Sequence, residues 1–532
     1  MLTTVESTHE VANQATPLED VDLFALDVPL QEALEREGGG WARERVHEAG
    51  RAAGSAEAQA HGRRAERNEP VLRTHDRFGH RLDEVELDPS WHWLLRGAVE
   101  REIHSLPWRD PRPGAHVARA ALEVQWTHAN AGVMCPVSMT YSAVPALRAD
   151  PELAAQWEPR LTLPDYEAGA LCGMAMTEKQ GGSDVRANTT RAQPAGDGWW
   201  ELTGHKWFCS YPPCDVFLVL AQAPAGLSCF LLERGPGMEF QRLKHKLGTR
   251  SLPSSEVEFR AAPARLLGEE GRGVATIIEM VTHTRLDCIV GSAAGMRRGV
   301  AEAVWHARQR SAFGQRLAEQ PAMINVLADL ALESEAATAT AMRLARAYDE
   351  GDHALRRFAT AVAKYWICKR ATPHAAEALE CLGGNGYVEE SPMPRLLRDA
   401  PLNGIWEGSG NVIALDVLRA LAREPDGLPA LLAECELARG GDRRLDVHLD
   451  ALPATLAALR GPDAQWLARR AVEDLALALQ ATLLVRHAPP AVADAFCAGR
   501  LGEARGRAFG TLPAGVDGEA ILARALPAGA PH

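Results

Sequence analysis

The sequence predicts an α+β protein in which a β domain interrupts a mainly helical chain. Its 532 residues exceed the roughly 250 to 300 at which single hydrophobic cores stop growing, so we expect several domains. The hydrophobic fraction of 46% and the charged fraction of 24% are typical of globular proteins. From residue 170 to about residue 265, helical spacing of apolar residues gives way to short alternating runs separated by turn residues.

The first two domains follow from these patterns. Residues 1–169 are expected to be helical, because stretches such as WLLRGAVEREIHSL have apolar residues three and four positions apart. Residues 170–268 contain the runs ALCGMAM, DGWWELTGHKWFCS, DVFLVLAQ, LSCFLLER and SSEVEFR. Their spacing predicts an antiparallel barrel or sandwich.

Long helical runs return after Gly273 and define the second half of the chain. Residues 269–425 are expected to form a helical bundle, in which one helix ends near Gly383 and Gly384 as its C-cap. Residues 426–532, which are rich in Ala, Leu and Arg, are expected to form a helical extension.

Charge and cysteine usage restrict the class of protein. The net charge of −13 argues against a chain-wide attraction to nucleic acid, although a local basic patch remains open. Only six of the 57 basic residues are lysines, which we interpret as a preference for arginine codons. Ten scattered cysteines without a CxxC pair indicate reduced thiols in the cytoplasm. No run of about 18 apolar residues occurs, so no membrane span is expected.

Two candidate motifs lie in the β domain. MAMTEKQGGSD, residues 174–184, offers backbone amides and hydroxyls on a sharp loop suited to a cofactor, or is a plain turn between strands. GHKWFCS, residues 204–210, offers aromatic side chains for stacking on a flat ring, or aromatic residues buried in a sheet.

A third candidate motif, RQRSAFGQRL, begins at Arg308. Arg310 and Phe313 are three positions apart and are expected to share one helix face, with the guanidinium available to a pyrophosphate. The alternative is a solvated basic end of a helix.

The fourth candidate motif is IWEGSGN, residues 405–411, in which Glu407 precedes a helix expected to begin near Val412. Ser409 or Asn411 could cap that helix and leave free amides for a polar ligand atom. Glu407 is either a catalytic base or a charge that stabilises the helix dipole. HExxH, GxSxG, Walker and zinc-ligand motifs do not occur.

In their order and spacing, MTEKQGGSDV, GHKWFCS, ARQRSAFGQ, LGGNGYVEES and IWEGSGN resemble the acyl-CoA dehydrogenase family, and in detail its AidB branch. The resemblance spans essentially the whole chain. It implies an N-terminal helical domain, a middle β barrel, a C-terminal four-helix bundle and a helical extension, assembled as a homotetramer with FAD between the domains. Departures from the family pattern are MTEKQ for MTEP, Phe208 for Trp, Ser210 for Thr and Glu380 for Gln.

The resemblance implies a catalytic base and a set of cofactor contacts. Glu407 would remove the α-proton of an acyl-CoA thioester, with a pKa raised by burial. The residues implied to contact FAD are Met174, Ala175, Met176, Thr177, Glu178, Lys179, Gln180, Gly181, Gly182, Ser183, Phe208, Cys209, Ser210, Arg310, Phe313, Gly383, Gly384, Ile405, Trp406, Gly408, Ser409, Gly410, Asn411 and Leu415.

The resemblance also implies that the extension binds double-stranded DNA in the response to alkylation damage, with weak or vestigial dehydrogenation. From Leu431 to His532 there are eleven arginines, no lysine and twelve acids, so this segment is near neutral. Contacts would be mainly to phosphates. The candidate DNA contacts are Arg419, Arg443, Arg444, Arg469, Arg470, Arg505 and Arg507.

Two other functions remain open. One is a metabolic acyl-CoA dehydrogenase of a branched or unusual thioester with no DNA role. The other is a flavin oxidase of small nitroalkane-like or alkylating compounds.

Overall fold

The structure, a computed structural model, describes residues 8–504 and 506–527. Along the chain it has a helical region, a β barrel, a helical bundle and a further helical segment, so the predicted α+β fold class is confirmed. None of the described helices is long and apolar enough to cross a membrane.

The described part of the N-terminal region is mainly helical. Its helices are α1 (Val28–Arg36), α2 (Arg43–Gly54), α3 (Ala56–Arg67), α4 (Pro89–Glu100), α5 (Leu106–Arg109), α6 (Ala115–Thr127), α7 (Met134–Leu147) and α8 (Pro151–Leu161). Strands β1 (Val71–His75) and β2 (Arg81–Glu86) form an antiparallel hairpin between α3 and α4. The mainly helical prediction does not include this hairpin, because its strands are polar and neither of them buries an apolar face.

The middle region is a closed sheet. Its strands are β3 (Cys172–Ala175), β4 (Arg191–Gly196), β5 (Trp199–Ser210), β6 (Val216–Ala223), β7 (Gly226–Glu233), β8 (Met238–Leu243) and β9 (Ser254–Leu267). Strands β6, β4, β5, β9 and β7 pair in that order, and β7 pairs again with β6, which closes the barrel. Strand β3 adds to β6 in parallel and β8 adds to β9.

The region after the barrel is a helical bundle. Its elements are α9 (Gly273–Gln309), β10 (Ser311–Ala312), β11 (Gln315–Arg316), α10 (Pro321–Asp349), α11 (His353–Glu380), α12 (Gly384–Tyr387), α13 (Met393–Asp399) and α14 (Gly410–Arg423). Helices α9, α10 and α11 pack against one another and α14 packs against α11, as the predicted four-helix bundle requires. Helix α9 also packs against α6 and α7, which joins the bundle to the N-terminal region.

The C-terminal extension packs on the bundle. Its described helices are α15 (Gly427–Glu436), α16 (Arg443–Ala458), α17 (Ala464–His487), α18 (Pro490–Arg500) and α19 (Gly518–Ala525). Helix α17 contacts α10, α11 and α14, and α19 contacts α10 and α1. The extension therefore shares one hydrophobic core with the bundle.

Candidate functional site

A cavity of about 700 Å³ lies where the N-terminal helices, the barrel and the bundle meet. Its walls come from α6 and α7, from the loop after β3, from the end of β5, from α9 and from residues 395–419. This volume is typical of pockets that hold a cofactor or a small molecule.

Glu407 borders this cavity, and its carboxyl group is buried. Its Oε2 atom has no hydrogen-bond partner among the described residues. Burial raises the pKa of Glu407, while the nearby Thr284, Arg285 and Lys364 act to lower it. The expected direction of the pKa shift is confirmed. A buried carboxylate oxygen without a partner is suited to accept a proton from a ligand in the cavity.

The backbone at Glu407 is strained. Its φ angle is +57°, a left-handed conformation that costs a non-glycine residue on the order of 1–3 kcal/mol. Gly408 follows with a φ of +111°, and α14 begins two residues later. Ser409 occupies the N-cap position, but its side chain makes no capping hydrogen bond.

Two cations hold this turn in place. The ammonium group of Lys364, on α11, donates to the carbonyl oxygens of Trp406 at 2.9 Å and of Gly408 at 2.5 Å. The Nε atom of Arg285, on α9, donates to the carbonyl oxygen of Glu407 at 3.1 Å. Three successive carbonyls are thus fixed by buried side chains of the bundle.

Neither cation was a sequence candidate. Lys364 is one of six lysines and lies in the otherwise apolar run AVAKYWI. A charged residue in such a run indicates a buried charge with a specific partner, so the sequence offers a way to find Lys364. Arg285 gives no comparable signal, because arginine is common throughout this chain.

About half of the predicted cofactor contacts line the cavity. They are Met174, Met176, Thr177, Gly182, Ser183, Phe208, Ser210, Ile405, Trp406, Gly408 and Ser409. They come from separate elements, so the fold brings the first, second and fourth candidate motifs together.

The other predicted cofactor contacts lie outside the cavity lining. They are Ala175, Glu178, Lys179, Gln180, Gly181, Cys209, Arg310, Phe313, Gly383, Gly384, Gly410, Asn411 and Leu415. Strand alternation explains Cys209, which is fully buried between the lining residues Phe208 and Ser210.

The side chain of Glu178 makes its contacts within the protein. Its carboxylate accepts from the ammonium group of Lys206 at 2.8 Å and from the amides of Thr189 and Thr190 at 2.7 Å and 3.1 Å. Burial alone would raise the pKa of Glu178, but these partners outweigh burial and lower it to about 2. The carboxylate thus ties the loop after β3 to the barrel.

The prediction that Arg310 and Phe313 share a helix face is wrong. Helix α9 ends at Gln309, and Arg310 is in an extended conformation from which its guanidinium donates to the carbonyl of Asn13. Phe313 lies in the tight turn of the β10–β11 hairpin with 99% of its surface exposed. The expected C-cap at Gly383 is also displaced, since α11 ends at Glu380.

The predicted DNA contacts are dispersed. Arg444 pairs with Asp442 and Asp494, whereas Arg470 pairs with Asp474.

Two other predicted DNA contacts bond within the protein. Arg419 pairs with Asp416. Arg469 donates from Nε to the side-chain oxygen of Asn411 at 2.8 Å.

The structure describes two of the three remaining predicted DNA contacts. Arg443 and Arg507 are exposed, and Arg505 lies outside the described residues. Gly441, two residues before Arg443, lies against Val485, which is fifteen residues or about 22 Å along α17 from Arg470.

Three family models match successive parts of the chain. They are the adaptive response protein AidB N-terminal domain at residues 13–168, the acyl-CoA dehydrogenase middle domain at 173–262 and the acyl-CoA dehydrogenase C-terminal domain at 271–422.

Similar proteins agree with these matches. AidB of Escherichia coli (strain K12) is 43% identical over 512 residues, which cover 92% of this chain and 94% of that protein. Acyl-CoA dehydrogenase family member 11 of Caenorhabditis elegans is 33% identical over 427 residues, 74% of this chain and 69% of that protein. The crystal structure of Caenorhabditis elegans ACDH-11 in complex with C11-CoA has a TM-score of 0.86 at 28% identity, covering 95% of this chain and 96% of that one. The chain therefore belongs to the acyl-CoA dehydrogenase family, in its AidB branch.

Proposed function

We propose that the protein is an FAD-dependent acyl-CoA dehydrogenase-like oxidoreductase in which Glu407 is the catalytic base. The observation that carries this proposal is the unpartnered, buried Oε2 atom of Glu407 at a cavity shared by barrel and bundle. The acyl-CoA dehydrogenase family is FAD-dependent.

The residues around the cavity fit FAD. Thr177, Ser183 and Ser210 bring hydroxyl groups to one wall, and the ring of Phe208 gives that wall an apolar surface. Glycine at position 182 avoids crowding within the loop, since a Cβ atom there would lie only 3.2 Å from the methyl group of Thr177. We propose that these five residues hold the flavin end of the cofactor. When bound, FAD supplies the acceptor for the hydride that leaves the substrate.

Glu407 performs the proton transfer in the proposed reaction. Its carboxylate takes the proton from the α-carbon of the acyl thioester while hydride leaves the β-carbon, so two C–H bonds break and one C=C bond forms. The backbone amide of Glu407 is proposed to donate to the thioester carbonyl. Lys364 and Arg285 keep the turn in the conformation that aims the carboxylate at the cavity.

Slow turnover is part of this proposal. The indole N–H of Trp406 donates to Asn403 Oδ1 at 3.0 Å, which fixes a large ring beside the base in the same cavity.

We test the dehydrogenase proposal by anaerobic titration of the purified flavoprotein with acyl-CoA thioesters. We expect the flavin absorption bands to bleach, and a spectrum without flavin bands, or one that no thioester alters, would contradict it.

We propose a homotetramer in the cytoplasm. Phe313 and Tyr387 expose 99% and 79% of their surfaces, and large exposed rings favour burial by another subunit. All ten cysteines are free and buried, as is usual for proteins of a reducing compartment.

A second proposed function is binding of double-stranded DNA in the response to alkylation damage. It is supported by two adjacent cations at the start of α14. The Nη2 atom of Arg469 and the Nζ atom of Lys369 lie 3.3 Å and 3.4 Å from the position of a Cβ atom on Gly410. Paired exposed cations beside a helix N-terminus favour phosphate.

DNA binding is tested by measuring affinity over a salt series. We expect Arg469→Ala to weaken binding by about 3- to 10-fold and to reduce the salt dependence by about one phosphate contact. Arg470→Ala is the matched control, because Asp474 already neutralises that neighbouring arginine, and its effect is expected to be smaller. Binding that is absent at low salt, or equal losses in both variants, would contradict the proposed surface.

A further inference from the structure

The exposure of the cavity lining differs along α9, and the ends near Val274 and near Arg298 are called the open end and the closed end. Val274, at the start of the helix, is 36% exposed, whereas Arg298 is 4% exposed. Both line the cavity, and the rise of an α-helix separates them by about 36 Å along the axis. Glu407 interacts with Thr284, so the base lies between the two ends, about 21 Å along the axis from Arg298.

Three side-chain nitrogen atoms at the closed end have no hydrogen-bond partner among the described residues. The Nη1 atoms of Arg298 and Arg395 and the Nδ1 atom of His128 are inaccessible to solvent and make no hydrogen bond among the described residues. All three side chains line the cavity. Buried polar atoms are normally hydrogen-bonded, so the unpartnered guanidinium donors of Arg298 and Arg395 at a cavity indicate an anionic ligand. Burial and the nearby Arg298 lower the pKa of His128 well below its ordinary value, so His128 contributes a neutral imidazole to the cluster.

These donors converge on one place. Arg298 lies within 3.5 Å of the side-chain oxygen of Gln59, whose amide donates to the carbonyl of His128 at 3.2 Å. The Nη1 atom of Arg395 lies 2.9 Å from the Cβ position of Gly62, which is three residues along α3 from Gln59. The cluster is therefore formed where α3, α6, α9 and α13 meet.

The acids near the cluster do not fill these donor positions. Glu302 forms an ion pair with the Nη2 atom of Arg298 at 2.6 Å, and the Nη1 atom of Arg298 has no hydrogen-bond partner among the described residues. The acids near Arg395 are Asp399 and Glu66. Burial and the nearby Glu66 raise the pKa of Asp399, which weakens the charge compensation that Asp399 gives Arg395.

The cavity wall between Glu407 and the cluster of Arg298, Arg395 and His128 leaves space for an unbranched acyl chain. Helix α9 presents Gly291, Ala294 and Gly295 to the cavity. A Cβ atom on Gly295 would meet no other atom within 4 Å. Glycine inside a helix costs about 1 kcal/mol relative to alanine, so open space beside it is consistent with a ligand channel.

We propose that Arg298, Arg395 and His128 bind a carboxylate at the far end of the acyl chain, so the substrates are CoA thioesters of long dicarboxylic acids. The inference rests on the proposed dehydrogenase function and names its substrate class. An arginine fork matches the planar carboxylate. Arg298 lies about 21 Å from Glu407 along the axis of α9. When the length of an arginine side chain is subtracted, the remaining distance is spanned by roughly a dozen chain atoms at about 1.2 Å each. Phosphates of CoA belong to a bulky headgroup, which has to remain at the open end.

The test compares two CoA thioesters of twelve-carbon acids, one ending in a methyl group and one in a carboxylate. Their dissociation constants for the flavin-loaded protein are measured by calorimetry, which does not depend on turnover. We expect the carboxylate-ended thioester to bind at least about 10-fold more tightly, and Arg395→Met to abolish this preference. Arg398→Met is the matched control, because Arg398 lies on the same helix but pairs with Glu389. It is expected to retain the preference.

Each outcome is decisive. Equal binding of both thioesters, or tighter binding of the methyl-ended one, overturns the substrate class but leaves the dehydrogenase proposal intact. Binding of neither thioester overturns both. Loss of flavin from Arg395→Met, with an unchanged preference, would assign the cationic cluster to a phosphate of the cofactor and overturn the inference.

Discussion

At the scale of single residues, Glu407 combines features that each disfavour the folded state. Its carboxyl group is buried, one oxygen lacks a partner, and its backbone is left-handed. Proteins retain such features where neighbouring structure enforces them, often at functional sites. Here Lys364 and Arg285 enforce the conformation through main-chain carbonyls, which leaves the Oε2 atom of the carboxylate without a partner among the described residues.

The pH dependence of activity follows from this arrangement. The base acts as a carboxylate and burial raises its pKa, so we expect kcat/KM to rise with pH through an apparent pKa above 4.5. Lys364→Met removes a charge that lowers the pKa of Glu407, so the acidic limb is expected to move to higher pH. The measurement is kcat/KM against pH for both proteins.

The same variant separates positioning from simple loss of stability. We expect Lys364→Met to lower kcat by about 10- to 100-fold with a smaller change in KM, because the turn is no longer fixed. Lys206→Met, which removes another fully buried lysine, is a control for destabilisation and is not expected to shift the pH profile. An unshifted or downward-shifted acidic limb in Lys364→Met would contradict the role of this ammonium group.

At the scale of elements, periodicity and turn residues predict the β domain and the long helices, whereas the choice of a barrel over a sandwich depends on the family resemblance. Their ends were not predictable to the residue. Helix α9 ends one residue before Arg310, because the chain turns there into a short hairpin that exposes Phe313. The resemblance assigns Glu178 to the cofactor site because Glu178 lies in the loop MTEKQGGSDV. Its buried partner Lys206 is 28 residues away, and only the fold brings the two together.

The Glu178–Lys206 pair gives an element-scale prediction. Removing one partner of a buried ion pair typically costs 3–5 kcal/mol, so we expect Glu178→Gln and Lys206→Met each to lower the free energy of unfolding by about this amount. The double variant should lose less than the sum of the single losses, because no unpaired charge remains. Urea unfolding of the four proteins measures this coupling, and additive losses would mean that the pair does not anchor the loop.

At the scale of the whole molecule, the order of the motifs along the chain indicates the family and the fold class more specifically than any single motif does. The family and fold class were predictable from that order. The closed end of the cavity was not, because Arg298, Arg395 and His128 are far apart in the chain and each is unremarkable in its own segment. The proposed boundaries at residues 169, 268 and 425 fall between elements, yet the extension shares the core of the bundle.

Assembly gives the prediction for the whole molecule. If Phe313 is buried by another subunit, Phe313→Ser should lower the molar mass measured by light scattering from that of a tetramer to that of a smaller species. Phe78→Ser is the matched control, because Phe78 is also exposed but lies at the tip of the β1–β2 hairpin. A tetramer that persists in Phe313→Ser, or a wild-type monomer, would contradict the proposed assembly.

The central claim is that Glu407 removes a proton from an acyl thioester beside bound FAD. The most direct test is anaerobic mixing of a thioester with the flavin-loaded wild type and with Glu407→Gln, followed through the flavin absorption bands. We expect the wild type to bleach and the variant, with equal flavin content, to bleach at least about 100-fold more slowly. Equal rates of bleaching in the two proteins would remove Glu407 from the role of base.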